Sequence, residues 1–228
     1  AIIFSIFQMI GTHYGLGKHT GEMDQYQFPT LIKIVLASDT FYFLCNWAVK
    51  HALLVFYTSI ARDTPFLISV YIMHFIAFAF GLSSILVVLF QCRPFNKTWR
   101  GTDVDGYCIN LDAFFYYNAG VMLGTDVILY IMPVVFTWGL QLRRTQRVGL
   151  SCLFGLGGLV LIASAIRMHT VHLLITKPDF PWHFANAMIC SVIENHVAIV
   201  VACAPSVKVV AMLFFPRFTS SLRSVVSK

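Results

Sequence analysis

Five stretches of this chain are each long and apolar enough to cross a lipid bilayer, and no other feature restricts the fold as much. They run roughly over 31–60, 66–91, 112–140, 148–175 and 184–207. A helix needs about 20 mostly apolar residues to cross the ~30 Å hydrocarbon layer. Inside lipid each backbone N–H and C=O must be satisfied without water, which a helix achieves within its own segment. Composition agrees: 58% of residues are hydrophobic and 11% charged, with mean hydropathy +0.76. A soluble domain carries about 25% charged residues to cover its surface. The expected fold is therefore all-α, a multi-pass transmembrane helical bundle.

A sixth apolar stretch, "AIIFSIFQMI" (1–10), gives only ~15 Å of helix and is too short to cross alone. The chain opens on Ala1 and lacks a signal peptide's basic start, short apolar core and small-residue cleavage site. The simplest reading is a partial helix over roughly 1–12, in a chain that begins inside a helix whose first part is missing.

Connections set the expected orientation. "QLRRTQR" (141–147), the tail "PRFTSSLRSVVSK" and the turn holding Arg62 are basic and fall on one side if the spans alternate. Lysine and arginine excess marks the cytoplasmic side. Residues 213–228 then read as a basic cytoplasmic tail, and the net charge of +6 fits attraction to anionic lipid headgroups. Residues 92–111 fall on the extracellular or lumenal side, although Arg93, Lys97 and Arg100 blur the contrast. Cys92 and Cys108 both lie in that loop, and an oxidising compartment would join them. "NKT" makes Asn96 a glycosylation acceptor. Cys45, Cys152, Cys190 and Cys203 fall within spans and read as buried packing residues.

The strongly ionisable residues inside the spans are Asp39, Lys50, Asp126, Arg167 and Glu194. An unpaired charge at the bilayer centre costs at least about 2.5–3.5 kcal/mol, and such residues normally face the bundle interior and pair. From Asp39, the residues at +7, +11 and +18 are Asn46, Lys50 and Tyr57. At 100° per residue these lie within about 20° of one line along the helix, a single inward stripe. Depth below the outer surface predicts that Arg167 pairs with Glu194 and that Lys50 reaches Asp126. Three acids against two bases leave Asp39 over, protonated or sharing a base. These residues, with Asn195 beside Glu194, form the candidate ligand-binding or intramembrane polar cluster. The plainer role is that the pairs only fix which helix neighbours which.

Several stretches carry a resemblance, in order along nearly the whole chain: "GLGKH" (15–19), "VKHALLVFY" (49–57), "FQCRP" (90–94), "CINL" (108–111), "TDVILYIMPVVFTWGLQLRRTQRVGL" (125–150), "IASAIRM" (162–168) and "SVIENHVAIVVACAPSVK" (191–208). They resemble the fungal rhodopsin-like integral membrane domain, a seven-helix family that includes Pth-type receptor-like proteins and membrane proteins encoded beside secondary-metabolite pathways. The resemblance implies a rhodopsin-like domain over 1–212 in which the first helix and part of the second are absent. It departs from the family pattern where Asp39 replaces a usual Glu, Ala52 a usual Ser, and His51 a usual apolar residue.

Retinal is not expected, because its Schiff base needs a lysine in the last helix and "FANAMICSVIENHVAIVVACAP" has none. No cofactor is expected. No metal is expected either: "HTVH" (His169, His172) is the one helical histidine pair, and zinc needs three or four convergent ligands. Nucleic-acid and nucleotide binding have no support, since "GLGKHT" lacks the spacing of a phosphate loop. "SCLFGLGGL" (151–159) offers small residues for close helix approach, Pro133 and Pro205 read as kinks, and Trp138, Trp182, Phe214 and Phe215 read as interfacial aromatics. Two functions fit. One is a receptor-like sensor of an extracellular or lipophilic small molecule with a cytoplasmic signalling partner. The other is a membrane-embedded enzyme or accessory protein of secondary-metabolite biosynthesis, although no residue set forms a recognisable catalytic constellation.

Overall fold

A computed structural model of the chain describes residues 1–22, 26–60, 63–138, 144–177 and 179–214, with side chains described there except at 60, 102, 136–138, 144–154, 156 and 205–214. In chain order its helices are α1 (Ile2–His13), α2 (Phe28–Ile60), α3 (Thr64–Leu89), α4 (Lys97–Arg100), α5 (Leu111–Trp138), α6 (Arg144–Thr176) and α7 (Phe180–Phe214). Five of them are long and apolar enough to cross a membrane, and the chain is a helical membrane bundle.

Helix starts follow local chemistry. Pro29, Pro65 and Pro181 sit in the first turns of α2, α3 and α7, where the missing N–H would lack a helical partner in any case. At the start of α5 the Ala113 N–H donates to Asn110 Oδ1 at 3.1 Å, satisfying one such orphan donor. The helices outrun the apolar stretches: α6 begins at Arg144 rather than 148, and α7 runs from Phe180 to Phe214 rather than 184–207. Hydropathy registers only the lipid-facing part, whereas backbone hydrogen bonding carries on into the polar interface. The 33 residues of α2 make a rod of ~50 Å, longer than the hydrocarbon layer. Helical backbone continues through Pro133 and Pro205.

The 92–111 connection is more ordered than a bare loop. Strand β1 (Cys92–Arg93) pairs antiparallel with β2 (Tyr107–Cys108), Cys92 opposite Cys108, and these two cysteines form a disulfide. Lys33 near the start of α2 holds its ammonium over the Trp99 ring, 5.2 Å from the centroid, which ties α4 to the bundle. Asn96 precedes α4 and is half-buried, with its Oδ1 enclosed and without a hydrogen-bond partner. Arg62, the bases Arg143, Arg217, Arg223 and Lys228, and Phe215 lie outside the described residues, as do the side chains of Trp138, Ser151, Cys152 and Phe214.

Apolar and polar surface are arranged in reverse of a soluble protein. Phe75 is 74% exposed and Val200 60%, while Arg167, Glu194 and Asn195 are buried. The reversal follows from a solvent of acyl chains, which rewards outward hydrocarbon and penalises outward charge. Helix α2 is the hub: it packs on α1, α3 and α7, and α5, α6 and α7 pack in succession. Two apolar clusters flank a polar layer. One holds Phe4, Leu31, Tyr42, Phe43, Phe184 and Met188, and the other Leu54, Val70, Met73, Ala77 and Leu129.

Two packing expectations are corrected. In the glycine run of α6, a Cβ at Gly155 or Gly158 would meet open space, so neither marks a close helix approach; Gly157 alone faces α5, where a Cβ would stand 3.0 Å from the Tyr130 ring. Among the described residues the tightest helix–helix approach of this kind is instead at Gly81 of α3, whose missing Cβ is replaced by the Trp47 indole of α2. The second concerns the free cysteines: Cys203 is exposed and Cys45 and Cys190 only half-buried. A thiol is apolar enough to face acyl chains, so a place in a span did not require burial.

Candidate functional site

One face of α2 supplies the first half of the site. Asp39, Asn46 and Lys50 are all buried, and Tyr57 further along donates its hydroxyl to the Leu129 carbonyl of α5 at 3.2 Å. The Lys50 ammonium stands 2.8 Å from Asp126 Oδ1 and donates to the Met122 carbonyl at 3.3 Å and to Thr125 Oγ1. Its three N–H donors thus meet three acceptors on α5. Asp126 sits in an apolar stretch because this neighbouring helix brings it a cation.

The second ion pair joins α6 to α7. Arg167 Nε lies 2.9 Å from Glu194 Oε2. The N–H does not point along that line, so the contact is ionic without being an aligned hydrogen bond, and both atoms remain without a hydrogen-bond partner. The rest of the guanidinium turns elsewhere: Nη1 donates to the Tyr42 hydroxyl, both terminal nitrogens lie 3.3 Å from Met122 Sδ, and the group sits 5.3 Å from the Tyr42 ring centroid.

Ser164 connects the two pairs. Its Oγ is 3.1 Å from Asp126 Oδ2 and 3.3 Å from Glu194 Oε1. A hydroxyl has one proton to donate, so it serves one carboxylate at a time. The chain Lys50–Asp126–Ser164–Glu194–Arg167–Tyr42 therefore runs through α2, α5, α6 and α7 without a break. Sequence reading missed Ser164, Tyr42, Thr125 and Met122, because uncharged polar residues are common in spans. A signal existed in spacing: Ser164 is one turn before Arg167, and Tyr42 one turn after Asp39.

Asp39 stands apart from this chain. It is 4% exposed, and among the described residues no cation lies within ion-pair distance of it. Its neighbourhood is a pocket of about 30 Å³ lined also by Tyr42, Asn118, Arg167, Phe184 and Ser191. Asn118 donates its amide to Ser84 Oγ at 3.1 Å, while its Oδ1 is buried without a partner. A smaller space of about 10 Å³ lies against Asn46, Trp47, Lys50 and Ser84. Asn195, 1% exposed, has no hydrogen-bond partner at either end of its amide. His51 meets His74 of α3, their Nδ1 atoms 2.8 Å apart, so one ring donates and the other accepts. Among the described residues, no three His, Cys, Asp or Glu converge as metal ligands would.

The fold and the site define a class, a multi-pass helical membrane protein whose interior holds a buried network of ion pairs. The chain belongs to the fungal rhodopsin domain family, whose pattern it matches over residues 1–212. It is 23% identical over 230 residues to a SAT4 family membrane protein of Emericella nidulans, covering 99% of this chain and 56% of that one. It is 26% identical to the Satratoxin biosynthesis SC1 cluster protein 4 of Stachybotrys chartarum, covering 72% of this chain and 59% of the other. It is 23% identical to Receptor GIN3 of Arthrobotrys oligospora, covering 86% and 47% respectively. The chain spans about half the length of these curated relatives. No solved structure matches it.

The family's name raises retinal, and the residues do not fit it. Lys50 is on α2 with its ammonium fully engaged by Asp126, Met122 and Thr125, and α7 carries no lysine before Pro205.

Proposed function

We propose that this chain is a receptor-like sensor of a small molecule that arrives from outside or through the lipid, and that it signals to a cytoplasmic partner. The supporting observation is unused bonding capacity beside a buried pocket: Asp39, which lines it, has no ion-pair partner among the described residues, and Asn118, which also lines it, keeps an Oδ1 without a hydrogen-bond partner. A ligand in that pocket would bear on α2 through Asp39, on α5 through Asn118 and on α7 through Phe184 and Ser191. The pocket holds about two waters as it stands, so a larger ligand requires the helix ends around Phe184 to part, and that parting is the signal. In this reading residues 92–111, with Asn96 as glycan acceptor, face the exterior or lumen, and residues 213–228 form the basic cytoplasmic tail. One relative is named as a receptor, which supports this reading.

A second reading has independent support: relatives are named for the biosynthesis clusters of polyenoic acids, satratoxin and fugralins. There the chain would be a membrane-embedded enzyme or accessory protein, with Asp126 or Glu194 protonating a lipophilic substrate. Glu194→Gln and Asp126→Asn separate the two in cells of the source organism. Loss of a transcriptional response with metabolite chemistry intact supports sensing; loss of one metabolite step with normal membrane insertion overturns it.

A further inference from the structure

The disulfide-closed connection between α3 and α5 presents a face that the bundle does not cover. Arg93 of β1 stands opposite Tyr107 of β2, and residues opposite each other in a ladder carry their side chains on one face of the ribbon. Ile109, two residues on, returns to that face, and its N–H donates to the Gln91 carbonyl at 2.9 Å, which prolongs the pairing. All three residues are exposed, as is Phe95 just past β1. Tyr107 is 66% exposed, and Phe90, directly after α3, 68%. So much open apolar surface in so short a stretch marks an interaction site. Arg93 and Arg100 are exposed too, and among the described residues neither lies within ion-pair distance of an acid.

Depth decides what meets this face. The sequence stays apolar to the end of α3 ("ILVVLF", 85–90), so the edge of the hydrocarbon lies near Phe90. Strand β1 starts three residues after Leu89 ends α3, and β2 ends three residues before Leu111 begins α5. Three extended residues span at most ~10 Å, and the headgroup layer is about 5–8 Å deep on each side of the hydrocarbon. The tip of the ribbon is turned aside rather than upward, because α4 packs on α2, where Lys33 holds Trp99. The Cys92–Cys108 bond keeps the two strands together there.

We propose that the 92–109 ribbon is a membrane-interface element, with its Arg93–Tyr107–Ile109 face set in the phospholipid headgroup layer of the bilayer that holds the bundle. Phe95, Ile109 and the Tyr107 ring reach toward the acyl boundary, and a phenol with an apolar body and a polar tip suits that layer. Arg93 and Arg100 donate to lipid phosphates, which a planar guanidinium binds through two parallel N–H bonds. Bases outnumber acids in the ribbon, and Asp103 and Asp105 take its watery edge. Lipid rather than a second protein is the partner, because the face continues the acyl-facing surface of α3 through Phe90 and of α5 through the exposed Tyr116 and Tyr117. This surface is separate from the Asp39 pocket and does not rest on the sensor reading.

The test is Tyr107→Trp in the full chain, reconstituted in phosphatidylcholine nanodiscs whose acyl chains carry bromine either near the headgroup or near the chain end. The readout is the fluorescence added over wild type, whose four tryptophans supply the background. The expected result is emission shifted to the blue of tryptophan in water, quenched more by the shallow bromine than by the deep one and little by aqueous iodide. Adding Arg93→Gln and Arg100→Gln is expected to reduce the shallow quenching; quenching unchanged by their loss overturns the part given to the arginines. Emission at the wavelength of water, quenched by iodide and by neither bromine, overturns the proposal and leaves the face free for a soluble partner. Blue-shifted emission insensitive to every quencher overturns it as well, by showing that the bundle covers the face, and so does stronger quenching from the deep bromine, which places the face in the hydrocarbon. If Tyr107→Trp does not fold, Ile109→Trp on the same face gives the same readouts.

Discussion

Lys50 and Asp126 meet at 2.8 Å across the interface of α2 and α5, with side chains only 8% and 11% exposed. Neither residue is tolerable alone at that depth, and each makes the other possible. Lys50→Met alone and Asp126→Leu alone are each expected to cost about 3–5 kcal/mol, because each strands a buried charge, while the double variant recovers most of the loss. Tm in detergent and the yield of monodisperse protein measure this. Two single losses that simply add would show that the pair is not coupled.

Ser164 joins two carboxylates on different helices. Ser164→Ala is expected to destabilise by about 1–3 kcal/mol through the donor it withdraws from buried oxygens. Its stronger consequence concerns communication: the coupling energy between Asp126→Asn and Glu194→Gln, measured as a double-mutant cycle in Tm, should fall when Ser164 is absent. An unchanged coupling would remove Ser164 from the network.

Gly81 leaves room for the Trp47 indole, which packs in turn against Phe78 at 5.6 Å between ring centroids. Gly81→Ala should therefore cost about 1–3 kcal/mol by overpacking, and Trp47→Leu introduced beside it should restore part of that loss. Gly155→Ala and Gly158→Ala, by contrast, face open space and are expected to leave Tm unchanged or slightly raised.

The connection before α7 gives a pH dependence. Asp179 accepts hydrogen bonds from the Thr20 hydroxyl and backbone, and its Oδ2 lies 3.6 Å from His19 Nδ1; led by the Thr20 hydroxyl, these donors hold its carboxyl below the usual value. A carboxyl whose folded pKa is lowered adds stability that is present above its ordinary value, about 3.9, and that is lost as pH falls through the lowered one. Hydrogen-exchange protection of residues 15–22 should thus persist through neutral and mildly acidic pH and decline only below the ordinary carboxylate range. Asp179→Asn, which tolerates the local φ of +76°, should show reduced protection already at neutral pH.

How much of the site was legible depended on the type of residue. Five ionisable side chains stood out because lipid makes each of them costly, and simple depth along each helix paired Lys50 with Asp126 and Arg167 with Glu194. Ser164, Tyr42 and Met122 did not stand out, because hydroxyls and a thioether carry little penalty in a span. The glycine run of α6 misled for a related reason: small residues permit close approach, but permission is not contact, and the neighbour at Gly155 is absent.

By itself the sequence determined that the chain is a helical membrane protein of this family, with its charges turned inward, because solvation by hydrocarbon acts on each residue wherever the rest of the chain lies. Only the tertiary structure decided which hydroxyl bridges the carboxylates, why Gly81 must be small, and that Asp39 faces a pocket rather than a partner. Those depend on the rotation and depth of one helix against another, set jointly by all the side chains in the interface, and no segment carries that information alone.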